Sequence, residues 1–418
     1  MDASKPGAPS GEGRRSVRER SRDRVIAALR ATDGLSRADL VEATGLSRAT
    51  LSTVVGELVA AGVLVEAGAG RGVGTRPSAC VDAAGPGPGP GRGRTARVLR
   101  LAGGAGLVGA LAFGNGELRA ALGDLAGRVL GERRVELAVG DDADAALATA
   151  SAVMAGLLAD AGRAAPDRSV AQIAMGLPCS IDERTGRVSY NEILPGWVGL
   201  DPADELARRC GCPVTVENDA NLAALGEYGH GAARGVRDLI FVKVSRGIGA
   251  GLILDGRLYR GATGVAGNVG HVIVVPNGEI CRCGNRGCLE TVASVPRVLA
   301  GVGEALGRAV RIEELVALVR GGNMGARRTV ADAGHRIGQC LADLCGVLNP
   351  SLVVIGGELA GTGPVFTSVI HDSLTRFTQP VVAEAVTVRA GELGARAEVL
   401  GALALAAADL RPRLPVVG

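Results

Sequence analysis

Apolar positions in the first sixty residues recur at helical spacing. Val25, Ile26 and Leu29 suit one face of a first helix, which Gly34 ends. Ser36 can cap a second helix, SRADLVEATG, with Asp39 at the capping-box position and Gly45 allowing the turn after it. Ser47 can cap a third, with Leu51, Val54, Val55 and Leu58 facing inward. VLVEAG, after Gly62, reads as a strand, GRGVGTRP as the tip or return of a wing, and RVLRL as its returning strand. From Leu107 the pattern changes to apolar strands punctuated by glycine: LVGALAF, ELRAAL and RVLGERRVEL, a helix over DADAALATASAVMAGLLADAG, and the strand VAQIAMGLP. PVTVENDANLAALGEYG predicts a strand ending at Val216, a polar elbow and a helix from about Ala220. LIFVKV, GAGLILDGRLYRG and SLVVIGG add further strands, and GALALAAADL ends the pattern with a helix. The fold class is α/β: a winged helix-turn-helix head followed by a mixed α/β body.

Composition narrows the function classes. The chain has 418 residues, room for two or three folding units, and 46 basic against 43 acidic residues give only +3. The whole molecule is therefore no general polyanion binder, and nucleic-acid contact must come from local charge. Such charge is present at the head, where Arg14 to Ser78 holds 11 arginines against 7 acids. The inward set of the third helix leaves Arg48, Thr50, Ser52 and Thr53, with Ser47 at the cap, at its start and outer face. These are donors and small hydroxyls suited to base edges in a major groove, and Arg71 and Arg76 sit on the expected wing. No run of 18 apolar residues and no apolar signal core occur, so the expectation is a cytoplasmic protein without membrane contact. Nearly all basic residues are arginine, Lys5 and Lys243 excepted, a bias to which no chemistry is assigned.

The densest chemistry lies in HVIVVPNGEICRCGNRGCLE. His271, Cys281, Cys283 and Cys288 fit one tetrahedral zinc, and four protein ligands make it structural, with no open position for water. In the elbow Glu217-Asn218-Asp219, a carboxylate at a strand end can serve chemistry, or Asp219 can simply cap the next helix. The glycines of SRGIGAG can present backbone N–H groups to phosphate, or serve a tight hairpin.

Together, ENDAN, SRGIGAG, the zinc stretch with its CLE ending and NPSLVVIGG resemble the ROK family, the repressor, open reading frame and kinase group, over essentially the whole chain. The resemblance implies a two-lobed actin- and hexokinase-like (ASKHA) body with sugar in its cleft. It implies sugar contacts from Asn218, Asp219, Asn268, His271 and Glu290, with Asp219 at the kinases' catalytic base position and inactive here. Asn268 stands where many members have glutamate. At the kinases' first phosphate loop, Asp-x-Gly-x-Thr, one register places Ala112 and Gly116, another Leu101 and Ala105, and neither supplies a carboxylate. Ser245-Arg246-Gly247 replaces the usual Gly-Thr-Gly of the second loop.

The resulting expectation is a repressor of carbohydrate-related genes. It reads a palindromic double-stranded operator as a homodimer or homotetramer, answers to a sugar or sugar phosphate, and lacks kinase activity; a bifunctional ATP-dependent sugar kinase is the alternative. The expected parts are a disordered basic arm, 1–21, a winged helix-turn-helix, 22–103, and a ligand-binding and oligomerisation domain, 104–418. The Pro/Gly-rich 83–95 is either a wing insertion or a linker.

Overall fold

The computed structural model describes residues 17–30, 34–60, 63–67, 97–101, 106–114, 116–125, 127–162, 169–182, 184–188 and 193–410. The chain divides between residues 105 and 106 into two compact units.

The first unit is built from three helices, α1 (Val17–Arg30), α2 (Arg37–Thr44) and α3 (Arg48–Ala60), and three strands, β1 (Leu35–Ser36), β2 (Leu64–Ala67) and β3 (Val98–Leu101). Local chemistry sets the helix starts. Asp39 N–H donates to Ser36 Oγ at 3.2 Å while Ser36 N–H donates to Asp39 Oδ2 at 3.0 Å, a complete capping box. Gly45, at φ 64°, ends α2 in the left-handed region, and Thr50 N–H donates to Ser47 Oγ at 3.1 Å to start α3. Val25, Ile26, Leu29, Leu40, Leu51, Val54, Val55 and Leu58 are buried together with Leu64 and Leu99 of the sheet. That sheet has the order β1-β3-β2, every pair antiparallel. β2 and β3 pair directly, and the Pro/Gly stretch 83–95 lies outside the described residues. The expected disordered arm, 1–21, needs correction over its last five residues. Helix α1 already begins at Val17, because buried Ser21 shares the 21, 25, 29 face with Val25 and Leu29. Arg71 and Arg76 lie outside the described residues.

The second unit contains the same sheet topology twice. β4 (Leu107–Phe113), β5 (Glu117–Asp124) and β6 (Val129–Glu136) form an antiparallel meander. After α4 (Ala143–Gly162), β7 (Val170–Leu177), α5 (Pro202–Cys210) and β8 (Val214–Asn218) extend it with parallel strands to the order β6-β5-β4-β7-β8. α6 (Asp219–His230) leads to a second meander, β9 (Leu239–Val244), β10 (Ile248–Leu254) and β11 (Arg257–Tyr259). Helices α7 (Glu290–Ala293), α8 (Val295–Leu306), α9 (Ile312–Arg320) and α10 (Met324–Leu348) follow. β12 (Leu352–Gly356), α11 (Pro364–Phe377), α12 (Pro380–Ala385) and β13 (Thr387–Ala390) then complete the order β11-β10-β9-β12-β13, and α13 (Ala397–Leu410) closes the unit. Helix α4 is long and apolar enough to cross a membrane by composition, yet its Ala146, Leu147, Ala150, Met154 and Leu157 are buried in the first sheet's core.

Two helices cross between the sheets. α6 leaves the first sheet and packs on β9 and β10, while α13 leaves the second and packs on β4, β5 and β7. They meet each other through glycine: a Cβ on Gly226 would lie 2.0 Å from Ala397 O, and one on Gly401 1.8 Å from Leu222 O. Close approach of this kind brings the N-termini of both helices to the same place, the floor of a cleft.

Candidate functional site

Backbone turns assemble the metal cluster. Ile273 bridges to Cys288 and Ile280 to Arg286, so the His271–Glu290 stretch folds back on itself. Gly284 (φ 91°) and Gly287 (φ 69°) take the left-handed turns this needs, and a Cβ on Gly287 would lie 1.7 Å from Val275 O. One ligand atom each from His271, Cys281, Cys283 and Cys288 falls within 4.8 Å of all the others. His271 Nδ1 is 3.5 Å from Cys281 Sγ, and Cys283 Sγ is 3.6 Å from Cys288 Sγ. A tetrahedron with zinc–sulfur bonds of about 2.3 Å has sulfur edges of roughly 3.8 Å, so the four donors fit one zinc-sized ion. Burial lowers the His271 pKa, leaving its ring neutral and fit to ligate, and pushes the Cys288 thiol up to about 12. A divalent cation among them is what would hold such thiols as thiolates.

The five expected ligand residues, Asn218, Asp219, Asn268, His271 and Glu290, all line one cavity of about 840 Å³. β8 runs two residues further than its apolar pattern, to Asn218, whose Oδ1 caps α6 by accepting from Ala220 N–H at 2.9 Å and Asn221 N–H at 3.3 Å. Asn218 Nδ2 donates to Cys179 O at 3.3 Å. Asp219, the first residue of α6, is buried and accepts from Ala220 N–H at 2.8 Å through Oδ1. Asn268 Nδ2 reaches Ser180 Oγ, beyond β7, at 3.4 Å. Glu290, at the start of α7, accepts through Oε2 from Ile248 N–H at 3.1 Å and from Arg282 at 2.7 Å. Arg282, between two of the cysteines, thereby fastens the metal loop to the cleft wall. Ala112 of β4 and Gly116 of the β4–β5 turn line the cavity, as do Ser245, Arg246 and Gly247 of the β9–β10 turn; Leu101 lies in β3 of the other unit.

Several residues of the cleft lacked a local signal. Lys243, the penultimate residue of β9, donates to Asp219 Oδ2 at 2.6 Å and also pairs with Glu398 in the first turn of α13. The two carboxylates raise the Lys243 pKa against the opposing pull of its burial, and burial pushes Glu398 up. Burial raises Glu358 as well, in the turn after β12, and Glu313 of α9 lines the same cavity. A single charged side chain inside the apolar strand LIFVKV was the available clue to Lys243.

At the head, Ser47, Arg48, Thr50, Ser52 and Thr53 are all exposed at the start and outer face of α3. Thr53 Oγ1 donates to Ala49 O at 3.2 Å, and Ser52 Oγ accepts from Arg37 at 3.4 Å. Glu66 of β2 accepts from Arg37 at 3.0 Å and from Arg97 at 2.8 Å, tying the start of α2 to the base of the wing.

A winged helix-turn-helix DNA-binding model matches residues 19–65, and the ROK family model matches residues 108–409. The chain is similar to a putative xylose repressor of Caldicellulosiruptor sp. (strain Rt8B.4), 28% identical over 391 residues that cover 90% of this chain and 92% of the relative. It is also similar to a glucokinase of Thermotoga maritima, 32% identical over 254 residues, 56% of this chain and 78% of the relative. Among solved structures, a ROK family transcriptional regulator described as a homologue of the E. coli MLC protein superposes with a TM-score of 0.76 at 25% identity, covering 95% of this chain and 98% of that one. Similarity over the body extends to kinases, whereas similarity over nearly the whole length is to regulators. The chain thus belongs to the ROK family, with a winged helix-turn-helix preceding the family's body.

Proposed function

We propose that the chain is a DNA-binding transcriptional repressor of carbohydrate-related genes whose body binds a sugar or sugar phosphate and transfers no phosphoryl group. One observation carries this reading: an exposed winged-helix recognition face shares a chain with a sugar-kinase-type cleft whose base-position carboxylate, Asp219, is already occupied by Lys243. Ser47, Arg48, Thr50, Ser52 and Thr53 enter the major groove, and Arg71 and Arg76 of the wing add phosphate contacts. From helix α1 to residue 105 the chain forms the DNA head, with a basic arm before it, and the unit from residue 106 is the ligand-binding and oligomerisation domain. Asn218, Asp219, Asn268, His271 and Glu290 hold the effector's hydroxyls, oxygen-rich and nitrogen-rich groups of the kind a polyol needs. His271, Cys281, Cys283 and Cys288 hold a structural zinc that keeps the His271 ring and the Arg282–Glu290 pair in place.

Phosphoryl transfer needs groups that place metal and neutralise charge. The first loop has Ala112 and Gly116 at the kinases' Asp and Thr positions, and Arg246 fills the second, so those groups are missing although Asp219 is retained. A repressor of this form acts in the cytoplasm as a dimer or tetramer on a palindromic operator. The effector shifts the balance between two spacings of the heads by no more than its differential affinity for them. Selection from pooled genomic fragments, repeated with a panel of sugars and sugar phosphates, tests the reading. A palindromic site released by one ligand is the expected result. ATP turnover with any hexose or N-acetylated amino sugar would replace it with the bifunctional kinase, and no selected site would overturn the DNA-binding reading.

A further inference from the structure

We propose that Lys243 is a built-in cation: its ammonium occupies, between the Asp219 and Glu398 carboxylates, the place a divalent metal ion would otherwise take in the cleft floor. The three side chains come from three elements that meet only in the folded body, β9, the start of α6 and the start of α13. Their side chains are only 14%, 12% and 16% exposed. Lys243 Nζ lies 2.6 Å from Asp219 Oδ2 and is also paired with Glu398 Oε1. Glu358 lines the same cavity and lies within electrostatic reach of the ammonium.

Buried carboxylates facing one another repel unless a cation stands between them, and a hard divalent ion with oxygen ligands is the usual solution. Here the chain supplies its own. Both helix N-termini add partial positive charge that favours the two acids, so a single ammonium suffices where a separate ion would bring two charges. Two consequences follow from the geometry. The floor gives no vacant carboxylate pair to a metal–nucleotide complex, and Asp219 is held in one orientation, with its remaining lone pairs directed to a ligand hydroxyl. Lys243 is accordingly a positioning residue, and ligand recognition in this cleft requires no divalent ion.

Mn2+ alone is the probe, added to the zinc-loaded full-length protein and followed by electron paramagnetic resonance and by melting temperature. The wild type is expected to take up no Mn2+ in the cleft. Lys243→Met exposes the carboxylates and should bind one Mn2+ at least about ten-fold more tightly than the wild type, with a melting temperature that rises with Mn2+. Adding Glu398→Gln to that variant should cancel most of the gain. Equal Mn2+ affinity in the wild type and Lys243→Met overturns the proposal. So does a Lys243→Met protein that stays unfolded in Mn2+, or a gain that persists in the double variant. Mn2+ occupancy is read without DNA or sugar, so the outcome is independent of the regulatory reading.

Discussion

The head and the body treat charge in opposite ways. On the head's recognition helix Arg48 is exposed, and among the described residues no acidic partner holds it. In the body's cleft Asp219, Lys243, Glu398, Arg282 and Glu290 are each engaged by another charged group. The difference follows from what each surface must bind. A polyanion is gripped by solvated cations that exchange counterions for phosphates, so free arginines at low cost suffice. The hydroxyls of a sugar carry no charge, and buried groups can recognise them only if they are already oriented and satisfied before the ligand arrives. Hence the exposed polar side chains from Ser47 to Thr53 sit on one helix, whereas the body needs several elements to hold each carboxylate still.

The comparison can be broken at four points. The largest effect should come from Cys288→Ser. Structural zinc sites contribute apparent binding energies of roughly 10–16 kcal/mol, so the variant should lose zinc, from about one ion per chain to none, and the body should melt several kcal/mol less stable. Calorimetry with metal analysis reads both, and the head's transition should stay where it was. Next is Leu58→Ala, which removes a fully buried head side chain and should cost about 2–5 kcal/mol of head stability. Zinc content and sugar binding should be unaffected; a matching loss in the body would mean the two units unfold as one. Arg48→Ala should weaken specific DNA binding by about 1–3 kcal/mol if the guanidinium reads a base. An equal loss on random DNA, measured by titration at fixed salt, would reduce it to a phosphate contact. The smallest effect concerns acid. Hydrogen bonds from Arg97 and Arg37 hold the Glu66 carboxyl below its usual range. A depressed carboxylate contributes stability above the unfolded value of about 4.3 and loses it as pH falls through the lower folded value. The head's melting temperature should therefore drop as pH falls below about 4.3 in the wild type and drop less in Glu66→Gln.

The helix caps of the head were legible in the sequence. Ser36 with Asp39, Gly45 and Ser47 are short-range signals, and each appears as the cap or turn its spacing implies. The metal cluster was legible for the same reason, since its four donors lie within eighteen positions and their turns are marked by glycine. Boundaries were less so. Apolar alternation ends at Val216 while β8 continues to Asn218, because hydrogen bonding to β7 carries the strand past the last apolar residue. Helix α1 likewise begins before its apolar face does, since Ser21 continues that face as a buried polar residue.

What the sequence determined by itself was everything carried by neighbours along the chain: helix caps, strand alternation and the spacing of the four metal-ligating side chains. Only the tertiary structure decided that β2 and β3 pair as neighbours and that Lys243 is paired with Asp219 and Glu398. Lys243 and Glu398 are more than 150 positions apart, and no local pattern links them. Their meeting depends on α6 and α13 crossing closely enough to bring two helix starts to one strand, a condition set by Gly226 and Gly401 against the opposing backbones. Long-range charge pairing of this kind is a property of packing, because the cost of burying each charge is met only by a partner that the fold delivers.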